Sequence, residues 1–181
     1  MPHVSYAAEP HTLVYASLSN SIWITQVVDS GLSPRSSSTL ALDQSNQPHI
    51  SYLSYDEQHE YLKYAVQTGQ QWTVQVVDSS LVTNTSYVKP SLAVDRTGYP
   101  HIAYNSKDEL RYAQWTGSHW LIYHIAFTTE RGGYFHSISL ALDQNDLPRI
   151  AYTESAIDKP SRVKFVWGEQ PQHQLYLPQI H

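Results

Sequence analysis

Apolar and polar residues alternate along this chain in short runs, each bounded by Asp, Asn, Gly, Ser or Pro, and no run holds the three-and-four spacing of a helix. Residues 91–104 (SLAVDRTGYPHIAY) show the unit. Leu92 and Val94 flank Ala93, Ile102 and Tyr104 repeat the arrangement, and Asp-Arg-Thr-Gly lies between. That pattern predicts a β-hairpin. Asp95 can accept hydrogen bonds from the turn backbone, Gly98 suits a positive φ, and Pro100 opens the returning strand, where a missing N–H costs least. Apolar or small groups on both faces of each strand predict cover on both sides.

The unit recurs. Residues 39–52 read TLALDQSNQPHISY, residues 139–152 read SLALDQNDLPRIAY, and a clipped copy, MPHVSY, opens the sequence. Two further strands follow each hairpin. WITQVVD at 23–29 and WTVQVVD at 72–78 lie 49 positions apart, whereas His3, His49, His101 and Arg149 are spaced by 46, 52 and 48. Predicted strands cover 12–16 and 23–29 in the first unit. In the second they cover 39–43, 49–52, 61–65 and 72–78, and in the third the hairpin strands, 110–113 and 120–127. The fourth has 139–143, 149–152, 162–167 and 173–180. A repeat of about 40 to 50 residues with four short strands is the mark of a β-propeller blade. The expected fold is all-β, a single propeller domain over 1–181 with units at approximately 1–37, 38–90, 91–137 and 138–181. About four four-stranded antiparallel blades are expected, the first lacking its innermost strand. The alternative is part of a ring of about eight blades completed by a second chain, because an unpaired inner edge invites association. A homodimer is expected on that ground.

SLALD-x4-PHISY, then LKYA, then W-x4-VVD resembles the tandem propeller repeats of secreted bacterial proteins. The resemblance covers nearly the whole sequence and implies a fold without catalytic residues. The closing QLYLPQI resembles the tails of exported proteins of some filamentous bacteria, which implies an extracellular location.

Composition narrows the functional classes. With 14 Tyr and 5 Trp among 181 residues, aromatic side chains suited to pleated surfaces are plentiful. The net charge of −5, with Lys and Arg scattered, argues against a nucleic-acid partner. No apolar run is long enough for a helical membrane span, and no signal peptide is expected at the start. Cysteine is absent, so the redox compartment is open.

Three sets of residues are candidates for chemistry. His3, His49 and His101 share one repeat position, with Arg149 in the fourth, and could ring an axis to hold a transition metal; the alternative is that each packs its own hairpin. Asp43, Asp95 and Asp143 end the innermost strands and could hold Ca²⁺ at a channel mouth, although capping a turn already accounts for them. The predicted inter-blade loops at 30–37, 79–90 and 128–137 vary while the strands do not. They offer Arg35, Tyr87, Lys89, Arg131, Tyr134 and His136, the mix of aromatic surface and donors that stacks on sugar rings or anchors a peptide. Trp115 and Trp167 fall outside the Trp23, Trp72, Trp120 series, which predicts blade packing, and Trp115 joins the binding candidates.

Enzyme signatures are missing: no G-x-S-x-G, no H-E-x-x-H, no phosphate loop, no cysteine nucleophile and no S-x-D-x-G-x-T-W turn. His124, His136 and Tyr134 keep a lyase open. Glu130 and Glu154 would serve as a glycosidase pair only if the fold brings them together. The expected function is therefore a non-enzymatic binding module for carbohydrate or an extracellular protein surface. A polysaccharide-acting hydrolase or lyase is the rival, and a purely structural, self-assembling propeller fragment the third reading.

Overall fold

The computed structural model describes residues 1–9, 11–30, 33–55, 59–81, 90–106 and 108–168, with the backbone alone at 33–36. Among them every regular element is a strand, and no helix is long and apolar enough to cross a membrane. The strands are β1 (His3–Ala8), β2 (Thr12–Ser19), β3 (Ile22–Ser30), β4 (Ser33–Leu42), β5 (Pro48–Tyr55), β6 (Glu60–Thr68) and β7 (Gln71–Leu81). They continue with β8 (Ser91–Val94), β9 (Pro100–Ser106), β10 (Glu109–Trp115), β11 (Trp120–Phe127), β12 (Tyr134–Leu142), β13 (Pro148–Ala156) and β14 (Lys159–Trp167). They form four antiparallel meanders in chain order: β1–β2–β3, β4 to β7, β8 to β11, and β12–β13–β14.

Among the described residues the first sheet begins at the counterpart of β5, with no strand inside it, in line with the expectation from the sequence. The expected last strand at 173–180 lies outside the described residues. Two predicted loops prove shorter than the pattern suggests. Strand β4 starts at Ser33 and β12 at Tyr134, each passing through a bulge, between Pro34 and Ser38 and between His136 and Ser139. Polar residues read as loop are strand here because a bulge keeps the partner's pairing while releasing the two-residue alternation.

The turns form as their residues require. In each of the three complete hairpins the Asp carboxylate Oδ1 accepts two backbone N–H groups: from Ser45 and Gln47 onto Asp43, from Thr97 and Tyr99 onto Asp95, and from Asn145 and Leu147 onto Asp143. Asn46, Gly98 and Asp146 take the positive φ (59°, 87° and 61°).

The chain divides into two compact units, Met1–Asn84 and Thr85–His181. In the first, β1 packs on β4, and the core joins Leu13, Tyr15 and Val28 to Ile50, Tyr52 and Ala65, with Leu40, Trp72 and Val74 around it. In the second, β12 packs on β8 and β9, and Leu110 and Tyr112 meet Phe135, Leu140, Ile150, Tyr152 and Val166. Both cores follow one rule. A Leu and a Tyr on β2 or β10 cover an Ile and a Tyr on β5 or β13 of the next sheet.

Candidate functional site

Each sheet has two ends with different chemistry. At the end bearing the Asp turns, the repeated histidines are committed to the fold. His101 Nδ1 lies 2.5 Å from Tyr112 Oη and its Nε2 lies 3.3 Å from Asp95 Oδ2. Asp95 can only accept, so Nε2 carries the proton and Tyr112 donates to Nδ1. His49 repeats the contact with Tyr64 at 2.5 Å, with Asp43 Oδ2 at 3.7 Å, and His3 meets Tyr15 at 2.5 Å. The fourth sheet exchanges both partners together: Arg149 reaches Asp143 at 2.5 Å, and Phe165 stands where the others have tyrosine.

Burial holds His49 and His101 below the ordinary imidazole pKa in spite of their carboxylates. Burial, then Tyr123 and Asp95, push the Tyr112 hydroxyl well above the ordinary tyrosine value. Burial would raise Asp95, but hydrogen bonds from Thr97, Tyr99 and His101 hold it below the usual carboxylate range. The histidines are clamps from hairpin to third strand. Each bonds a tyrosine of its own sheet through Nδ1. Asp43, Asp95 and Asp143 are likewise engaged within their own hairpins, and among the described residues no group of three or more His, Asp or Glu could hold a metal ion.

The opposite end of the fourth sheet gathers side chains that do not repeat. The connection from β11 to β12 folds back tightly: Thr128 N donates to Asp108 O (2.9 Å), Gly133 N to Glu130 O (2.8 Å), and Ile157 N to Arg131 O (3.2 Å). Gly133 is needed there, because a Cβ would lie 2.3 Å from Thr128 Oγ1. The bulge then places Ser137 at φ 51° and re-aims His136, whose Nε2 lies 2.8 Å from Ser155 Oγ, itself 2.6 Å from Ser161 Oγ. Tyr134 packs on His136, ring centroids 5.3 Å apart.

Beside this group opens a shallow, solvent-facing cleft of about 20 Å³ lined by Glu130, Glu154, Ser155, Lys159 and Arg162. Lys159 pairs with Glu130 at 2.6 Å and Lys164 with Glu154 at 2.6 Å. Burial would raise Glu154, yet hydrogen bonds from Lys164 and Thr128 and the charges of Lys164 and Arg162 hold its carboxyl below the ordinary glutamate value. Arg131 and Arg162 are exposed and, among the described residues, have no ion-pair partner.

Of the residues expected to bind ligand, Tyr134 and His136 pack together, and Arg131 lies on the same β11–β12 connection, its carbonyl accepting from Ile157 N. Trp115 sits at the other end of β11, paired across the β10–β11 hairpin with Trp120 at 5.4 Å. Tyr87, Lys89 and the side chain of Arg35 lie outside the described residues. Glu130 and Glu154 do line one cleft. Ser155, Lys159 and Arg162 were missed, because nothing repeats at their positions and only the β13–β14 hairpin brings them to the β11–β12 loop.

No protein-family model and no curated protein sequence matches the chain. Several solved structures do resemble it. The NanB sialidase of Streptococcus pneumoniae (K499G mutant) matches with a TM-score of 0.59 at 13% identity, over 93% of this chain and 28% of that one. The Bombyx mori GH32 β-fructofuranosidase BmSUC1 matches at 0.57 and 11% identity, over 98% and 45%. A thermostable family-43 glycoside hydrolase matches at 0.54 and 13% identity, over 94% and 72%. The chain spans less than half of the first two. Likeness at such identity establishes the fold, and the chain is built of β-propeller blades.

Proposed function

We propose that this chain is a carbohydrate-binding propeller module whose site is the cleft between the β11–β12 loop and the β13–β14 hairpin. The observation that carries the reading is that Glu130, Glu154 and Arg162 line one cleft while His136, on which Tyr134 packs, bonds Ser155 in its wall, residues that share no position in the repeat. An exposed tyrosine face beside charged donors and acceptors is the surface that stacks on a sugar ring and hydrogen-bonds its hydroxyls. The resembling structures named for glycoside hydrolysis accord with a glycan ligand. Three cations, Lys159, Lys164 and Arg162, stand against two carboxylates, Glu130 and Glu154, so an acidic glycan suits the cleft better than a neutral one.

The rival reading, a glycoside hydrolase, is favoured by one observation: Glu130 and Glu154 line the same cleft. A general acid needs a carboxyl whose pKa is raised, and Glu154 is held low. A glycan array of neutral and uronate-bearing polysaccharides, paired with an assay for new reducing or unsaturated ends, separates the two. Binding without product supports the module. Product formation overturns it in favour of the enzyme, and the absence of binding to any glycan overturns both.

A further inference from the structure

The four repeats present the same residues in four different degrees of cover. Tyr52, Tyr104 and Tyr152 occupy one position and are 1%, 0% and 5% exposed, whereas Tyr6, their counterpart in the first sheet, is 42% exposed. On the opposite face, Leu13, Leu62 and Leu110 are at most 1% exposed, but Val163, at the same position in the fourth sheet, is 81% exposed. Tyr15, Tyr64 and Tyr112 are buried, and their counterpart Phe165 is 42% exposed.

These two bare faces are of opposite kinds. Val4 and Tyr6 match Ile50 and Tyr52, the side that receives a neighbour. Val163 and Phe165 match Leu13 and Tyr15, the side that covers one. The interface they would make already exists twice in the molecule, once in each unit. We propose that a second copy of this chain supplies the missing neighbour. Val163 and Phe165 on β14 of one copy cover Val4 and Tyr6 on the first sheet of the other, and the reverse contact closes the pair.

The internal interface also fixes an expected contact. Tyr15 packs edge-on against Trp72 with centroids 5.2 Å apart, so Phe165 of one copy meets Trp23 of the other, a tryptophan that is otherwise half exposed. The apolar partner agrees with the local chemistry. Lys63, beside the buried Tyr52, takes its carboxylate from Asp29 of the neighbouring sheet, but the first sheet has Val14 at that position and needs none. Two copies contribute eight sheets, the upper end of the usual range of about four to eight blades. The proposal is independent of the glycan reading.

Light scattering behind size exclusion tests it. The expected mass of the wild type is twice the 20.6 kDa of one chain, falling to one chain in Val163→Asp and in Tyr6→Asp. Both sites are exposed, so each variant should keep its circular dichroism. Each also retains one sound face, so mixing the two restores a two-chain species, which neither forms alone. If either variant loses its fold, acrylamide quenching of wild type against Trp23→Phe decides instead, with Trp23 expected to be shielded. A single-chain mass for the wild type, a dimer that survives both variants, or a freely quenched Trp23 overturns the proposal.

Discussion

His101 and His136 lie in the same unit and do opposite work. His101 is sealed between Asp95 and Tyr112 at the turn end of its sheet, and its repeat position is filled the same way in two other sheets. His136 sits on a bulge at the loop end, partly open, beside Tyr134 and above a cleft, and nothing in the other sheets copies it. A residue type that recurs at one position in successive blades is solving the problem every blade has, which is to bind its hairpin to its third strand. A residue type that occurs once is free to solve a problem of the whole molecule. On this chain the first kind accounts for the fold and the second marks the surface proposed to bind.

The contrast can be broken by substitution. His101→Ala leaves a cavity and a buried Tyr112 hydroxyl without its acceptor, and should cost about 3 kcal/mol in urea unfolding. His3→Ala, at a partly open clamp with no Asp turn, should cost about 1 kcal/mol. Equal losses would mean that burial does not set the worth of the clamp.

The ion pairs give the next difference. Asp29 accepts from Tyr52 Oη (2.6 Å) and from the nearly buried Lys63 Nζ (2.9 Å), so Asp29→Ala strands a buried cation and should cost about 2 to 3 kcal/mol. Lys159–Glu130 at the cleft is substantially exposed, and Glu130→Ala should cost about 0.5 kcal/mol or less. Differential stability by denaturant titration ranks the two.

A smaller effect concerns pH. Burial places the folded-state pKa of His49 and His101 below 6.5, so the unfolded chain takes up protons first as pH falls. Stability from these groups is complete above 6.5 and is lost as pH falls from there through the lower folded values. The depressed Asp95 adds a further loss below the usual carboxylate range. Melting curves from pH 8 to pH 5 should show a midpoint that declines with acid, and His101→Asn should flatten the decline.

Much of the fold was legible because the hairpin chemistry is local. Asp43, Asp95 and Asp143 each bond a turn within four residues, and Asn46, Gly98 and Asp146 take the positive φ that the pattern requires. The clamps were harder to see. Each histidine meets a tyrosine 11 to 15 residues ahead, a spacing that changes with loop length. One signal was available: the fourth repeat replaces His by Arg149 and Tyr by Phe165 together, the mark of a pair in contact. The cleft was least legible. Joining Glu130 to Glu154 depends on where β12 bulges and on how far β13 and β14 extend, and neither follows from alternation alone.

The most direct measurement is calorimetric titration of the glycan selected by array, run against three proteins of equal thermal stability: wild type, Tyr134→Ala/Arg162→Ala and Trp115→Ala. The loop-end double variant should lose at least tenfold in affinity, a change of about 1.4 kcal/mol or more, while Trp115→Ala binds as wild type does. Full affinity in the double variant, with loss in Trp115→Ala, would place the site at the turn end and contradict the division of labour drawn from His101 and His136.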